Sequence, residues 1–340
     1  MSSEHPIQLR AQITEFITSG TPSSFGETAL AVFQHQFAGN PPYRSFCEGL
    51  GHTPDTVCRW QEIPAVPNLA FKVPAYPLSV GPITFLTSGT TGEIRGSHHF
   101  PETALYDLAA LTHWRAAMPD LPLSFLSPSP QETPNSSLAH MFDQLQRVLD
   151  PENSRPFLIE NSRFHLAPLF EASKPLVLSG TALAFLHLME TQQAIPLPEG
   201  SHLLETGGYK GTARSLEKSA FYQQLSDFFD VPDSQIHNEY GMTELSSQAY
   251  ASGSSGHHCF PHWCQFQIIC PETEKPLPAG KTGYLQIHDL ANLHSAAAIR
   301  TQDFATSHPD GSFTLIGRDP GALPRGCSRS SDDSLTPATR

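Results

Sequence analysis

The strongest constraint on this chain is a unit that recurs through its middle: an apolar run, a turn of small residues, then a segment with helical spacing. Leu121-Pro-Leu-Ser-Phe-Leu126 leads through the proline-rich stretch 127–134 into residues 136–149, where Leu138, Met141, Phe142, Leu145 and Val148 are expected on one inward face. Pro175-Leu-Val-Leu-Ser-Gly180 leads into a helix over 181–191, and Ser201-His-Leu-Leu-Glu-Thr-Gly-Gly208 into one over 213–229. Parallel strands need such crossovers, because the chain must return to the same end of the sheet before it can add another strand. The spacing predicts an α/β fold with largely parallel sheets over residues 61–248.

The flanks read differently. Ile7, Leu9, Ile13, Phe16 and Ile17 recur at helical spacing, as do Leu30, Val32, Phe33 and Phe37, so residues 1–60 are expected to form an N-terminal helical cover. Asn40-Pro41-Pro42 is expected to end the second of these helices. Residues 102–117 read as a helix with Leu105, Leu108, Ala109 and Leu111 together. From residue 249 the long helices stop. Phe266-Gln-Ile-Ile269, Tyr284-Leu-Gln-Ile287 and Phe313-Thr-Leu-Ile316 read as short strands of a β-rich subdomain over 249–320. Residues 321–340, rich in Ser, Arg, Asp and Pro, are expected to be a mobile tail.

A formal net charge of −13 argues against a nucleic-acid or anionic-membrane partner, which would need a basic face. No run is long and apolar enough for a membrane span, and the first 30 residues hold charges without a secretory apolar core. The six cysteines are scattered, as expected of reduced thiols in a cytoplasmic protein rather than a disulfide framework.

The chemistry gathers in four segments that sit just after predicted strands. After the apolar run 83–86 comes Thr87-Ser88-Gly89-Thr90-Thr91-Gly92, with four hydroxyls and two glycines. Such a loop offers backbone N–H groups and hydroxyls to a polyphosphate at close range. No Gly-Lys-Ser/Thr follows, so it is not a P-loop. The others are Thr206-Gly207-Gly208-Tyr209-Lys210, Glu239-Tyr240-Gly241-Met242-Thr243-Glu244 and Thr301-Gln302-Asp303. In an open parallel sheet such segments meet along one edge, where ligands bind.

Taken in order, Thr87–Gly92, Tyr240–Glu244, Asp303 and Gly317-Arg318 resemble the signatures of the adenylate-forming superfamily of acyl-CoA synthetases, luciferases and adenylation domains. Within it the chain looks most like the LuxE-type acyl-protein synthetases, through Phe71-Lys72, Ser136-Ser-Leu138, Leu178-Ser-Gly-Thr-Ala182, Gly207-Gly-Tyr-Lys210, Asp289-Leu-Ala-Asn292 and Arg325-Gly-Cys-Ser328. The resemblance implies ATP and Mg²⁺ as cofactors and the activation of a carboxylic acid, a fatty acid above all, to an acyl-adenylate with release of pyrophosphate. Ser88, Gly89, Thr90, Thr91 and Gly92 would hold the β- and γ-phosphates. Gly207 and Gly208 would pass close to the adenine and Tyr240 would stack on it, within the motif that also contains Gly241 and Met242. Thr243 would bond the α-phosphate, Glu244 would hold Mg²⁺, and Asp303 would accept from the ribose, supported by Arg318.

The superfamily's small C-terminal domain, with its lysine, is expected to be absent, because 22 residues follow Arg318. Lys210 is the lysine placed beside a motif, and His98 the histidine taken with it as a candidate catalytic group; His99 and His140 also lie near motifs. The LuxE-type resemblance implies acyl transfer to a thiol, with Cys327 between Arg325 and Arg329 as candidate. An acyl-accepting protein or a small nucleophile remains open as partner. So do two other readings: adenylation of an aryl or amino acid, and a nucleotide-binding subunit without catalysis. His257-His-Cys-Phe-Pro-His-Trp-Cys264 concentrates metal-binding residue types but lacks a C-x-x-C pair. It reads more readily as acid-pocket lining through His258, Phe260 and Trp263.

Overall fold

The recurring unit builds a seven-stranded sheet. Its order is Ala249–Ser252, Ile236–Tyr240, His202–Thr206, Val177–Thr181, Leu123–Pro128, Phe157–Glu160, Arg163–Phe164. The structure, a computed structural model, describes residues 4–20, 25–75, 77–87, 94–207 and 217–319. The five inner strands run parallel, and an antiparallel strand closes each edge. Every residue of Leu123–Pro128 and Val177–Thr181 is buried, as expected of parallel strands covered on both faces. Helices Ala182–Thr191 and Lys218–Phe229 pack Phe185, Phe221 and Phe229 against Leu178 and Leu203 on one face. Helices Ala104–Ala117 and Ser137–Leu149 cover the other, where Phe142 stacks on Phe125 at 4.5 Å.

The second helix pattern needs one correction. Leu138, Met141, Phe142 and Leu145 are buried, but Val148 is 48% exposed and Leu149 packs in its place, four residues beyond Leu145. Ser136 caps this helix, its hydroxyl accepting from the Ala139 N–H at 3.2 Å.

The remaining strands form a five-stranded sheet ordered Val66–Pro67, Ala298–Ser307, Thr282–Asp289, Cys264–Ile269, with Phe313–Arg318 also paired to Ala298–Ser307. It is antiparallel apart from the short first strand. Two expectations change here. Ala249–Ser252 pairs with Ile236–Tyr240 and so belongs to the first sheet. Thr301–Asp303 lies inside a ten-residue strand, not after one.

Helices Glu4–Ser19 and Phe25–Gly39 share one core with this second sheet: Leu9, Ile13, Phe16, Val32 and Phe33 lie with Trp263, Ile268, Leu285 and Ile287. Ile7 is off that stripe and 70% exposed. The second helix stops at Gly39, as Asn40-Pro41-Pro42 leads one to expect, and the same residues start a third helix, Pro41–Gly49. Proline is tolerated in a first helical turn, whose N–H groups have no partner within the helix. Asn40 caps the helix through Oδ1, at 3.2 Å from the Tyr43 nitrogen, while its Nδ2 donates to the carbonyls of Leu78 and Ser295. Asn40→Ala is expected to cost about 2 kcal/mol in urea unfolding, a cap plus tertiary hydrogen bonds. A loss under about 0.5 kcal/mol would show that this junction is not held by Asn40.

Among the described residues no helix is long and apolar enough to cross a membrane, and the five described cysteines are all unpaired.

Candidate active site

Ile83–Leu86 pairs antiparallel with Ser97–Phe100 in a separate hairpin. Buried Thr87 closes the loop between them: its N–H donates to the Gly96 carbonyl and its Oγ1 accepts from the Gly96 N–H, both at 2.8 Å. Arg95 Nε donates to the Thr87 carbonyl at 2.6 Å. Ser88, Gly89, Thr90, Thr91 and Gly92, within that loop, lie outside the described residues, as do Gly208, Lys210 and Cys327. Gly207 leaves His202–Thr206 with φ 83°, a backbone glycine adopts without strain.

The two sheets meet at Tyr240. Its hydroxyl donates to Asp303 Oδ2 at 2.8 Å, and Asp303 faces Arg318 across the antiparallel pair. Arg318 reaches back to Gln302 Oε1 at 3.3 Å. The Tyr240 ring meets His258, Phe260 and Phe313 edge to face. Beneath it lies a chain that motif reading did not single out. Asn238 Nδ2 donates to Glu205 Oε1 at 2.6 Å, Asn238 Oδ1 bonds His258 Nε2, and Tyr222 donates to Glu205 Oε1 at 3.1 Å. One signal was available in the sequence: Asn238 stands two positions before Tyr240, on the same face of the strand.

Past Tyr240 the chain turns sharply. A Cβ on Gly241 would sit 2.2 Å from Glu239 Oε1, so any larger residue here would require that carboxylate to move from under the turn. Met242, Thr243 and Glu244 follow, all buried. The turn is held from three sides. His98 Nδ1 lies 2.8 Å from the Thr243 carbonyl, which can only accept, so the ring donates there. Burial against Phe71 and Phe100 pushes the His98 pKa down to about 3, leaving it a neutral anchor. Asp289 accepts from the Ser246 N–H at 2.8 Å, the Ser247 hydroxyl at 2.7 Å and the Ala291 N–H at 3.1 Å. Asn292 Nδ2 donates to the Glu244 carbonyl at 2.9 Å, and its own carbonyl accepts from buried Gln36 at 2.8 Å. Tyr240, Gly241, Met242, Thr243, Glu244, Asp303 and Arg318 are therefore gathered at one junction, with His98 behind it.

The cluster 257–264 disperses. His258 bonds Asn238, His262 the Phe16 carbonyl at 2.6 Å, and Trp263 the Ser247 hydroxyl at 3.0 Å; His257 stacks on His308. Among the described residues no group of three or more His, Cys, Asp or Glu could hold a metal by itself. The carboxylate of Glu244 with the hydroxyl of Thr243 is a hard-oxygen set. That fits Mg²⁺, which is commonly held by one or two carboxylates together with a substrate's phosphates.

No family model matches the chain. It is 22% identical to the long-chain-fatty-acid–luciferin-component ligase of Vibrio harveyi, over 97% of this chain and 95% of that protein. The fold matches 2-hydroxyisobutyryl-CoA ligase, solved in an open conformation with 2-HIB-AMP and CoA, at a TM-score of 0.61 and 12% identity, over 88% of this chain and 71% of that one. ATP-bound MatB of Rhodopseudomonas palustris is similar over 69% of this chain, at a TM-score of 0.46 and 17% identity. The chain spans 47% of the length of that protein. Both the fold and the LuxE-like resemblance read from the motifs are borne out.

Proposed function

We propose that this chain, which has the fold of adenylate-forming ligases and resembles one of them along nearly its whole length, activates a carboxylic acid with ATP. The observation that carries the reading is the junction itself: Tyr240 bonded to Asp303 at 2.8 Å, directly beside the buried Thr243–Glu244 turn. Asp303, steadied by Tyr240 and Arg318, accepts from the ribose hydroxyls, and the Tyr240 ring lies along the adenine. The Thr243 hydroxyl meets the α-phosphate. Ser88, Gly89, Thr90, Thr91 and Gly92 bind the departing pyrophosphate, with Gly207 and Gly208 beside the base. Glu244, together with the phosphates, would hold Mg²⁺, which would supply charge neutralisation. The acid's carboxylate then attacks the α-phosphorus, giving an acyl-adenylate and pyrophosphate, a step that depends on positioning and electrostatics more than on covalent help.

A thiol then attacks the acyl carbon, losing its proton and forming a thioester as the acyl–phosphate bond breaks and AMP leaves, with Cys327 as the chain's own candidate and Lys210 as a cation near the reacting groups. A protein or a small nucleophile would receive the acyl group, in a cytoplasmic setting.

Exchange of radiolabelled pyrophosphate into ATP, measured with a panel of acids, tests the adenylation step. Glu244→Gln is expected to lower exchange by about 100-fold or more while circular dichroism stays unchanged. Equal exchange in the variant would remove Glu244 from the chemistry.

A further inference from the structure

Beneath Tyr240 the fold keeps a carboxyl that no step of the proposed reaction uses. Glu205, one residue before the end of His202–Thr206, is 2% exposed. Its Oε1 accepts from the Tyr222 hydroxyl at 3.1 Å and from Asn238 Nδ2 at 2.6 Å. Its Oε2 is buried and has no partner among the described residues. Burial pushes the group up to about 7, against the pull of Lys218, which lies over the Tyr222 ring at 5.1 Å. An apolar side chain of similar size would escape that desolvation cost, so packing alone does not account for a carboxyl here.

The bonds that leave Glu205 run in one direction. Asn238 Nδ2 faces Oε1 and also the Glu205 main-chain carbonyl at 3.4 Å, which can only accept. The Asn238 amide is therefore held with its nitrogen toward Glu205 and its oxygen away. That oxygen bonds His258 Nε2, which must carry the proton. The His258 main chain pairs with Phe313 of the second sheet, at 2.8 and 3.0 Å, and its ring stacks on the Phe313 ring at 5.3 Å. The bond from Asn238 to His258 thus joins the two sheets. Tyr240 meets both rings edge to face, at 6.2 and 6.0 Å between centroids, and its hydroxyl holds Asp303.

We infer, resting on the adenylation reading above, that Glu205 is a positioning residue for ATP. Through Asn238 and His258 it sets the Tyr240–Asp303 contact that receives the ribose, without touching the nucleotide itself. Without the Glu205 acceptor the Asn238 amide is free to rotate, and the proton on His258 loses its fixed partner. A turn of the His258 ring shifts the phenol of Tyr240, and the carboxylate of Asp303 with it. The loss then falls on recognition of the ribose hydroxyls, while the acid keeps its own contacts.

Pyrophosphate exchange with ATP and with dideoxy-ATP, which lacks both ribose hydroxyls, tests this with the most active acid of the panel. The parent is expected to prefer ATP by about 10-fold or more in kcat/KM, since a site built to bond a hydroxyl rejects the analogue lacking it. Glu205→Leu removes the acceptor and is expected to lower that preference by about 3-fold or more, with KM for the acid unchanged. Glu205→Gln keeps an acceptor oxygen and is expected to restore most of the preference. His258→Phe keeps the ring but cannot donate to Asn238, so it breaks the chain without disturbing Glu205 and is expected to act like Glu205→Leu. An unchanged preference in His258→Phe overturns the inference, even where Glu205→Leu fails to fold. So does a loss that raises KM for ATP and acid alike, since that marks a merely structural role. A parent that uses both nucleotides equally overturns the inference and leaves acid activation standing. Absence of exchange with every acid in the parent overturns the adenylation reading and this inference with it.

Discussion

Asp289→Ala is expected to destabilise the fold by about 3 kcal/mol or more and to remove pyrophosphate exchange with it. The carboxylate is fully buried and accepts from three donors of two different segments, the N–H of Ser246, the hydroxyl of Ser247 and the N–H of Ala291. Alanine leaves all three buried without an acceptor, at about 1–3 kcal/mol each, partly offset by relief of the carboxylate's own desolvation. That desolvation is real, since burial pushes the Asp289 carboxyl up to about 6. Asp289→Asn keeps one acceptor oxygen and is expected to fall between the two. Urea unfolding provides the measurement. A loss below about 1 kcal/mol would mean that the Glu244 turn holds its shape without this strand end.

The second large effect concerns acid. Burial pushes seven histidines down, five of them far: His98, His258 and His288 to about 3, His113 and His237 to about 4, with His202 and His294 also below their ordinary value. Their ordinary value is 6.5, so each takes up a proton on unfolding once the pH drops below it, and the stability due to the neutral rings is lost progressively from there downward. Three buried carboxyls act in the opposite sense. Glu205 and Glu239, raised to about 7, and Asp289, raised to about 6, hold protons in the fold that the unfolded chain releases. Their contribution is greatest in acid and is lost as the pH climbs through those values. The five far-shifted histidines alone, against three carboxyls, leave about two extra protons bound by the unfolded chain near pH 5.5, a slope of roughly 2–3 kcal/mol per pH unit. Stability is therefore expected to peak between about pH 6.5 and 7.5 and to fall steeply on acidification. Denaturant unfolding from about pH 5 to 8 checks this, and a flat acid limb would show the histidines to be solvated.

What could be read in the chain before its structure was largely local. The strand–turn–helix repeats and the hydroxyl-rich loop announce themselves within a dozen residues, because periodicity and glycine act at that range. Asn40-Pro41-Pro42 marks the end of the second helix, but the third helix it opens was less legible, because proline suits a helix start as well as a stop and only the cap at Asn40 reveals which follows. Ala298–Ser307 escaped notice because its apolar and polar residues do not alternate cleanly, its faces being set by partners on both sides. The supports of the site were out of reach for a different reason. Asp289 and Asn292 act on residues more than 40 positions away, and Glu239 meets Thr206 across 33. Such pairings exist only once the sheet register is known.

The core shared by the first two helices and the second sheet has a consequence for the order of events at the ribosome. Leu9, Ile13, Val32 and Phe33 emerge early, yet their partners Ile268, Leu285 and Ile287 are made more than 200 residues later. At ordinary elongation rates that interval lasts roughly 10–50 s. During it the apolar faces of both helices are unsheltered, while the parallel sheet between them can already close. The nascent chain therefore makes this apolar surface well before the strands that cover it. A holding chaperone that binds the first 40 residues would be expected to raise the soluble yield of this protein more than one acting on the finished chain.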